Sequence, residues 1–283
     1  MICLCNTAFM EKTKILFVTQ EITPYVPENP ISRIGRELPQ SMQEKGQEIR
    51  TFLPRYGCIN ERRNQLHEVI RLSGMNMIIN DTDHPLIIKV ASLLPVRMQV
   101  YFIDNDDFFG RKELHRDASG EMFDDNDERA VFYARGVLET VRKLRWAPDI
   151  VHCLGWFSAL VPLYVKKAFK EDPLFNHSKV VYTLYNDQFD KPFSPTFKQK
   201  ALIEGVTRKD ITVLDHPDYT ALSKLAVNFS DGIIEGSENV CEAVKAHALK
   251  SGKPFLPYQA PSDSYNYIED YAAFYRSLME TKK

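Results

Sequence analysis

Short apolar runs alternate with longer amphipathic stretches along most of the chain, and this alternation limits the possible folds most strongly. Residues 14–18 (KILFV) are typical of a buried strand, residues 31–45 carry apolar side chains at helical spacing, and residues 49–53 form a second apolar run. The same criteria predict further strands at 100–103, 149–153, 179–184 and 232–235, and helices at 125–145, 222–227 and 238–249. Strands that alternate with helices are typical of a sheet covered on both faces. We therefore predict an α/β fold with a doubly wound, mostly parallel, Rossmann-like sheet.

Residues 66–101 interrupt the alternation. Two apolar runs, 76–79 and 86–90, are separated by the polar segment 81–85. Closely spaced apolar runs joined by turn-forming residues are typical of antiparallel pairing. This part of the chain is therefore predicted to form a β-hairpin or short antiparallel insertion.

The last part of the chain follows another pattern. Proline and glycine residues between positions 252 and 257 break any regular element, and residues 265–279 then predict a helix with an aromatic face. We expect three parts in the whole chain. They are a disordered lead-in at residues 1–13, one domain at residues 14–250, and a connector with a C-terminal helix at residues 251–283 that docks on the same domain.

A turn poor in polar side chains follows the strand predicted at 149–153. Leu154, Gly155 and Phe157 offer no group that could carry a proton or bind a hydroxyl, although ligands of open α/β sheets bind at such strand ends. Trp156 has two interpretations that the sequence leaves open. Its indole either stacks on a sugar ring at the rim of a cleft or packs into the core. The segment therefore has the position of a ligand site at a strand end but few side chains that could bind a ligand.

Composition excludes several functional classes. The formal net charge of -2 gives no broad basic field for nucleic acid. No apolar run approaches the roughly 18 residues of a membrane-spanning helix. Five cysteines form no C-x-x-C pair and favour a reducing, cytoplasmic location over a disulfide framework.

Other candidate constellations have simpler structural interpretations. Scattered histidines predict no metal site, and the prolines at 24, 27 and 30 make the turn after the first strand a poor phosphate loop. We predict no cofactor. Cys153 and His152 are expected to pack in the core, whereas solvated positions are expected for the acidic groups at 104–107 and 124–127 and for Arg55, Arg62 and Arg63.

Several segments together resemble the bacterial glycogen synthase and plant starch synthase family, whose members are retaining glucosyltransferases of the GT-B type that use ADP-glucose. The resemblance covers about residues 14–240. It rests on KILFVTQEITPY (14–25), LPQSMQEKGQEIRTFLPRYG (38–57), VYFIDNDDFFGR (100–111), FDDNDERAVFYARGVLE (123–139) and PDIVHCLGWFSALVPLYV (148–165). These matches in chain order imply the N-terminal, acceptor-side half of a GT-B fold.

The departures from the family pattern fall where its chemistry takes place. The phosphate-binding Lys-Thr-Gly-Gly-Leu of the family is replaced by residues 27–31 (PENPI), and its His-Asp-Trp-His by residues 154–157 (LGWF). Tyr185-Asn186 occupies the place of a His-Asn pair whose histidine contacts the transferred glucose. The resemblance thus implies Glu21, Trp156, Tyr185 and Asn186 as candidate substrate-binding residues, and it implies no catalytic residue.

Family members continue for about another 200 residues into a second Rossmann-like domain that binds the nucleotide. The resemblance therefore implies a synthase-like domain of α-glucan metabolism that is catalytically deficient alone, with α-glucan or ADP-glucose as ligand. Two alternatives remain open. One is a non-catalytic glucan-binding or regulatory module, and the other is half of a split transferase completed by a synthase partner chain.

Overall fold

The computed structural model describes residues 12–260 and 267–280. The expected lead-in at residues 1–13 lies almost entirely outside the described residues. Within them, no helix is long and apolar enough to cross a membrane.

One twisted sheet organises the molecule. Its strands are β1 (Lys14–Thr19), β2 (Glu48–Pro54), β3 (His67–Glu68), β4 (Met75–Ile79), β5 (Thr82–Leu93), β6 (Met98–Asp104), β7 (Ile150–Leu154), β8 (Lys179–Leu184), β9 (Gly232–Glu235) and β10 (Phe255–Leu256). The strand order is β10-β9-β8-β7-β1-β2-β6-β5-β3, with β4 paired to β5. The seven strands from β10 to β6 are parallel, and β3, β4 and β5 pair in antiparallel fashion. The predicted mostly parallel α/β sheet is confirmed.

Helices cover both faces of this sheet. They are α1 (Pro30–Glu44), α2 (Asp106–Phe109), α3 (Asn126–Leu144), α4 (Val161–Lys166), α5 (Phe197–Lys200), α6 (Tyr219–Phe229), α7 (Glu242–Lys250) and α8 (Tyr267–Glu280). From β1 the chain proceeds to β2 and β6 on one side, and it later returns to β7 on the other side of β1. The strand order thus reverses between β1 and β7, where ligands bind in open α/β sheets.

Local chemistry sets the start of α1. Asn29 accepts a hydrogen bond from the Ser32 amide, the Ser32 hydroxyl accepts one from the Asn29 amide, and Pro30 occupies the first turn. This reciprocal pair is a capping arrangement that satisfies amides at the helix start. The helix accommodates Pro39 in its interior and ends before Gly46, whose φ of +89° suits glycine.

Three differences from the predictions have a clear local cause. Asn80 and Asp81, both with positive φ, form the two-residue turn of the β4–β5 hairpin, so β5 already begins at Thr82 within the segment predicted to be a loop. Helix α7 begins at Glu242 rather than at 238, since Asn239 has a φ of +58°. The predicted connector contains β10, which pairs with β9.

Helix α8 packs on one face of the sheet beside α1. Phe274 and Leu278 lie against Gly232 in β9, where a Cβ atom would approach them to 2.8 and 2.9 Å. The Tyr275 hydroxyl lies 2.7 Å from Nδ1 of His152. Aromatic and aliphatic side chains of α8 and α1 and inward-facing residues of β1, β7, β8 and β9 form one continuous apolar cluster.

Candidate functional site

The carboxyl ends of β1, β7 and β8 surround a cavity of about 340 Å³ at the point where the strand order reverses. We call it the switch-point pocket. Its polar wall is formed by Gln20, Glu21, His115, Arg116 and Asp187, and Trp156 and Phe189 are among its apolar lining. The strand ends that the sequence predicts to carry a ligand site therefore do converge on one cavity.

Gly155 makes the geometry of this pocket possible. Its φ is +81°, and a Cβ atom there would lie 2.3 Å from Oε1 of Gln20 and 3.1 Å from Oδ2 of Asp187. The resulting turn directs two backbone amides at these side chains. The Trp156 amide donates to Asp187 over 3.0 Å, and the Phe157 amide donates to Gln20 over 3.2 Å. Any side chain at position 155 would displace these groups.

The Trp156 indole packs within the protein. Only 4% of the residue is exposed, and its ring lies 4.9 Å from His115, 5.0 Å from Phe189 and 5.8 Å from Phe193, measured between centroids. Of the two interpretations of Trp156, the structure shows the packed one, although an edge of the residue still lines the switch-point pocket. An exposed stacking platform at the rim is not observed.

Two carboxyl groups of the pocket are poorly solvated. Burial raises the pKa of Glu21, opposed by hydrogen bonds that its carboxylate accepts from Asn29 and Gln20. Burial likewise raises the pKa of Asp187 to about 6, opposed by hydrogen bonds from the Trp156 amide and the Tyr219 hydroxyl, whereas the charge of Glu21 adds to the shift. Sequence reasoning missed Asp187, although it follows directly after the Tyr185-Asn186 pair.

The cations near these carboxylates are already paired. Arg116 lies 3.1 Å from Asp190, and Arg33, at the start of α1, lies 2.9 Å from Glu28. The amide of Ser32 is capped by Asn29. The helix start that would receive a phosphate is thus occupied by the protein's own groups.

Tyr185 and Asn186 do not join Glu21 and Trp156 in the switch-point pocket. They line a second cavity of about 720 Å³ between the start of α1, the carboxyl ends of β8, β9 and β10, and α8. We call it the junction pocket. Tyr185 is 1% exposed. Asn186 is exposed, and its backbone amide donates a hydrogen bond to the Ser237 hydroxyl over 2.7 Å. The four predicted residues therefore fall into two neighbouring sites.

Charged residues expected to be solvated are partly buried instead. Arg55 lies 2.7 Å from Asp104 in a cluster with Lys89, and Asp127 lies 2.8 Å from Lys200 at the base of α3. The expectation of solvated positions was wrong for Arg55, Asp104 and Asp127, because each has a buried partner of opposite charge that offsets the cost of desolvation.

The predicted core positions of His152 and Cys153 are confirmed. Both are fully buried, and Nε2 of His152 lies 2.6 Å from the Thr183 hydroxyl. Burial raises the pKa of the Cys153 thiol well above its usual value, which disfavours the nucleophilic thiolate. Among residues 12–260 and 267–280, no three His, Cys, Asp or Glu side chains converge as metal ligands.

A doubly wound sheet with cavities along the carboxyl ends of its strands is the architecture of one half of a GT-B glycosyltransferase. The family model for the starch synthase catalytic domain matches residues 14–253, and the chain belongs to this family. The structure is similar to the catalytic domain of starch synthase IV from Arabidopsis thaliana, solved bound to ADP and acarbose. The TM-score is 0.72 at 16% identity, over 89% of this chain and 52% of that one, which supports the shared fold.

Curated relatives are glycogen synthases. One from Chlorobium limicola is 36% identical over 174 residues, which cover 61% of this chain and 36% of the relative. One from Chlorobaculum parvum is 33% identical over 208 residues, which cover 71% of this chain and 43% of the relative. The chain therefore spans less than half the length of these relatives.

Proposed function

We propose that the chain is a glycogen/starch synthase-like domain that binds α-glucan and, alone, does not transfer glucose from ADP-glucose. The observation that carries this proposal is the pair of poorly solvated carboxyl groups, Glu21 and Asp187, in the switch-point pocket. A nucleotide sugar brings a diphosphate, which these carboxylates repel. A glucan brings hydroxyl groups, whose hydrogens the same carboxylates accept.

Glucosyl transfer needs positive charge and hydrogen-bond donors around the departing diphosphate. The matching turn of this chain, residues 27–31, has no lysine. The backbone amide of Ser32, which follows this turn, is capped by the Asn29 side chain. Removing one such electrostatic contact costs on the order of 3 kcal/mol of transition-state stabilisation. With several contacts replaced, transfer by this chain is expected to be undetectable.

The proposal assigns the glucan to Glu21 and Trp156 at the switch-point pocket and to Tyr185 and Asn186 at the junction pocket. It treats residues 14–250 as the binding domain, with residues 251–283 docked on it, and it keeps a cytoplasmic location. The ADP and acarbose of the Arabidopsis relative indicate the ligand classes to compare, a nucleotide and an oligosaccharide.

Calorimetric titration with maltoheptaose, ADP and ADP-glucose tests the proposal. Heat of binding is expected with maltoheptaose and not with either nucleotide. Labelled glucose from ADP-glucose should enter glycogen no faster with the chain than with a boiled sample. Binding of ADP-glucose together with incorporation above that control would contradict the proposal, and so would the absence of any binding of maltoheptaose.

A further inference from the structure

Six of the eighteen residues that line the junction pocket lie in a part of the chain that the family model does not match. That match ends at residue 253, whereas Leu256, Tyr258, Tyr267 and Tyr271 line the pocket. Its volume of about 720 Å³ lies within the ~300–1,000 Å³ typical of small-molecule sites. The pocket therefore has the size of a ligand site, and the segment that carries β10 and α8 completes its wall.

A buried hydroxyl group in the wall of this pocket lacks a partner. The Tyr185 hydroxyl is buried and makes no hydrogen bond to any of the described residues. The ring is accommodated by Gly236, where a Cβ atom would lie 2.6 Å from the Tyr185 ring. A buried polar group normally has a hydrogen-bond partner, so this hydroxyl indicates a ligand that supplies one.

The charges of the pocket select against anions. Three carboxylates, those of Glu37, Glu235 and Glu238, face one cation, Arg33, which is itself paired with Glu28. Glu235 also pairs with Lys245 over 2.6 Å. Tyrosine rings combined with carboxylate acceptors suit a neutral, hydroxyl-rich ligand, because sugar rings stack on aromatic faces and their hydroxyls donate to carboxylates.

The junction pocket adjoins the switch-point pocket. Ile31 lines both cavities, and Asn29, in the wall of the junction pocket, donates a hydrogen bond to Glu21 in the other. Directly after β8, Tyr185 and Asn186 line one cavity and Asp187 the other. A single extended ligand can therefore contact both without leaving the carboxyl edge of the sheet.

We propose that the junction pocket is a second saccharide subsite, which holds one end of an α-glucan chain while another part of it occupies the switch-point pocket. This inference rests on the proposed function. It adds a subsite formed by β10 and α8, with the Tyr185 hydroxyl bonded to a sugar hydroxyl. The C-terminal helix then serves in recognition as well as in packing.

Two variants test the subsite by calorimetry with maltoheptaose. Ile34→Trp places an indole in the cavity from α1, where Ile34 lines it, and should weaken binding about tenfold or more. Tyr185→Phe removes only the unpartnered hydroxyl and should weaken binding about fivefold, while the urea midpoint of unfolding does not fall. Ile70→Trp introduces the same indole at a residue that is 83% exposed and lines neither pocket, and should leave affinity unchanged.

The outcomes separate the two proposals. If the unaltered chain binds maltoheptaose and both Ile34→Trp and Tyr185→Phe bind it equally well, the second subsite is refuted together with the assignment of Tyr185 and Asn186, whereas glucan binding at the switch-point pocket stands. If the unaltered chain does not bind maltoheptaose, the proposed function fails and the subsite fails with it. If Ile34→Trp loses its folded circular dichroism spectrum, the maltoheptaose affinity of Tyr185→Phe alone decides whether the second subsite exists.

Discussion

Asp187 couples the stability of the fold to the charge of the switch-point pocket. Its pKa is raised from 3.8 to about 6, chiefly by desolvation. The folded chain therefore holds this proton more tightly than the unfolded chain between about pH 4 and 6, and ionisation above pH 6 costs the folded state at most about 3 kcal/mol. Asp187→Asn, which carries no charge, should thus improve the free energy of unfolding more at pH 7.5 than at about pH 4.5.

Urea titrations of the unaltered chain and Asp187→Asn at both pH values measure this effect, expected as a difference of about 2 kcal/mol. Asp83→Asn, at an exposed position on β5, is the matched control and should show no such difference. An Asp187→Asn effect that is the same at both pH values would show that the carboxyl group stays ionised throughout.

Individual site residues were only partly predictable from the sequence. Trp156 was found because it follows a predicted strand end, and Glu21 because the family resemblance implies it. The packing of the Trp156 indole, however, depends on Phe189 and Phe193, which lie in an irregular segment. Asp187 was missed because its surroundings come from distant parts of the chain: its hydrogen-bond donors, the Trp156 amide and the Tyr219 hydroxyl, are each more than 30 positions away. Burial of a charge is a property of tertiary contacts, which no local pattern encodes.

The contact between Tyr275 and His152 is a buried polar contact of helix α8, and Tyr275→Phe isolates it. The substitution removes the hydroxyl 2.7 Å from Nδ1 of His152 and leaves that buried nitrogen without its partner, at a cost of about 1–3 kcal/mol. Tyr267→Phe on the same helix removes an exposed hydroxyl bonded to Glu37 and should cost less than about 0.5 kcal/mol. Denaturant unfolding of both variants measures the difference, and equal costs would contradict an anchoring role for His152.

Secondary structure elements were predictable where side-chain pattern alone decides them. Strands β8 and β9 match their predicted bounds, because continuous apolar runs are buried on both faces of a parallel sheet. Strand β10 was missed because two residues between Pro254 and Pro257 carry no periodicity, and it forms only by pairing with β9. The junction pocket was missed for the same reason, since it joins α1 to α8 across more than 200 positions, as the Glu37–Tyr267 contact shows.

For the whole molecule, two buried histidines lower the free energy of unfolding as the pH falls. Burial lowers the pKa of His152 to about 3, and burial with the charges of Arg129 and Arg116 lowers that of His115 well below its usual value. Unfolded histidines take up protons near pH 6.5, so below that pH the unfolded chain binds two protons that the folded chain does not. Each such proton removes about 1.4 kcal/mol of stability per pH unit until the folded group titrates.

The carboxyl groups of Glu21 and Asp187 act in the opposite direction, because their raised pKa values favour the folded state as they become protonated, which for Asp187 happens between about pH 6 and 4. The shift at Asp187 is smaller than that at His152, and His115 adds to the loss, so the free energy of unfolding should fall from pH 7 to about pH 4.5. Urea titrations across this range measure it. NMR of the imidazole protons identifies the cause, since His152 should remain neutral at about pH 5 and His115 should titrate below the usual range of histidine. Protonation of His152 in the folded chain at that pH would contradict the burial on which this prediction depends.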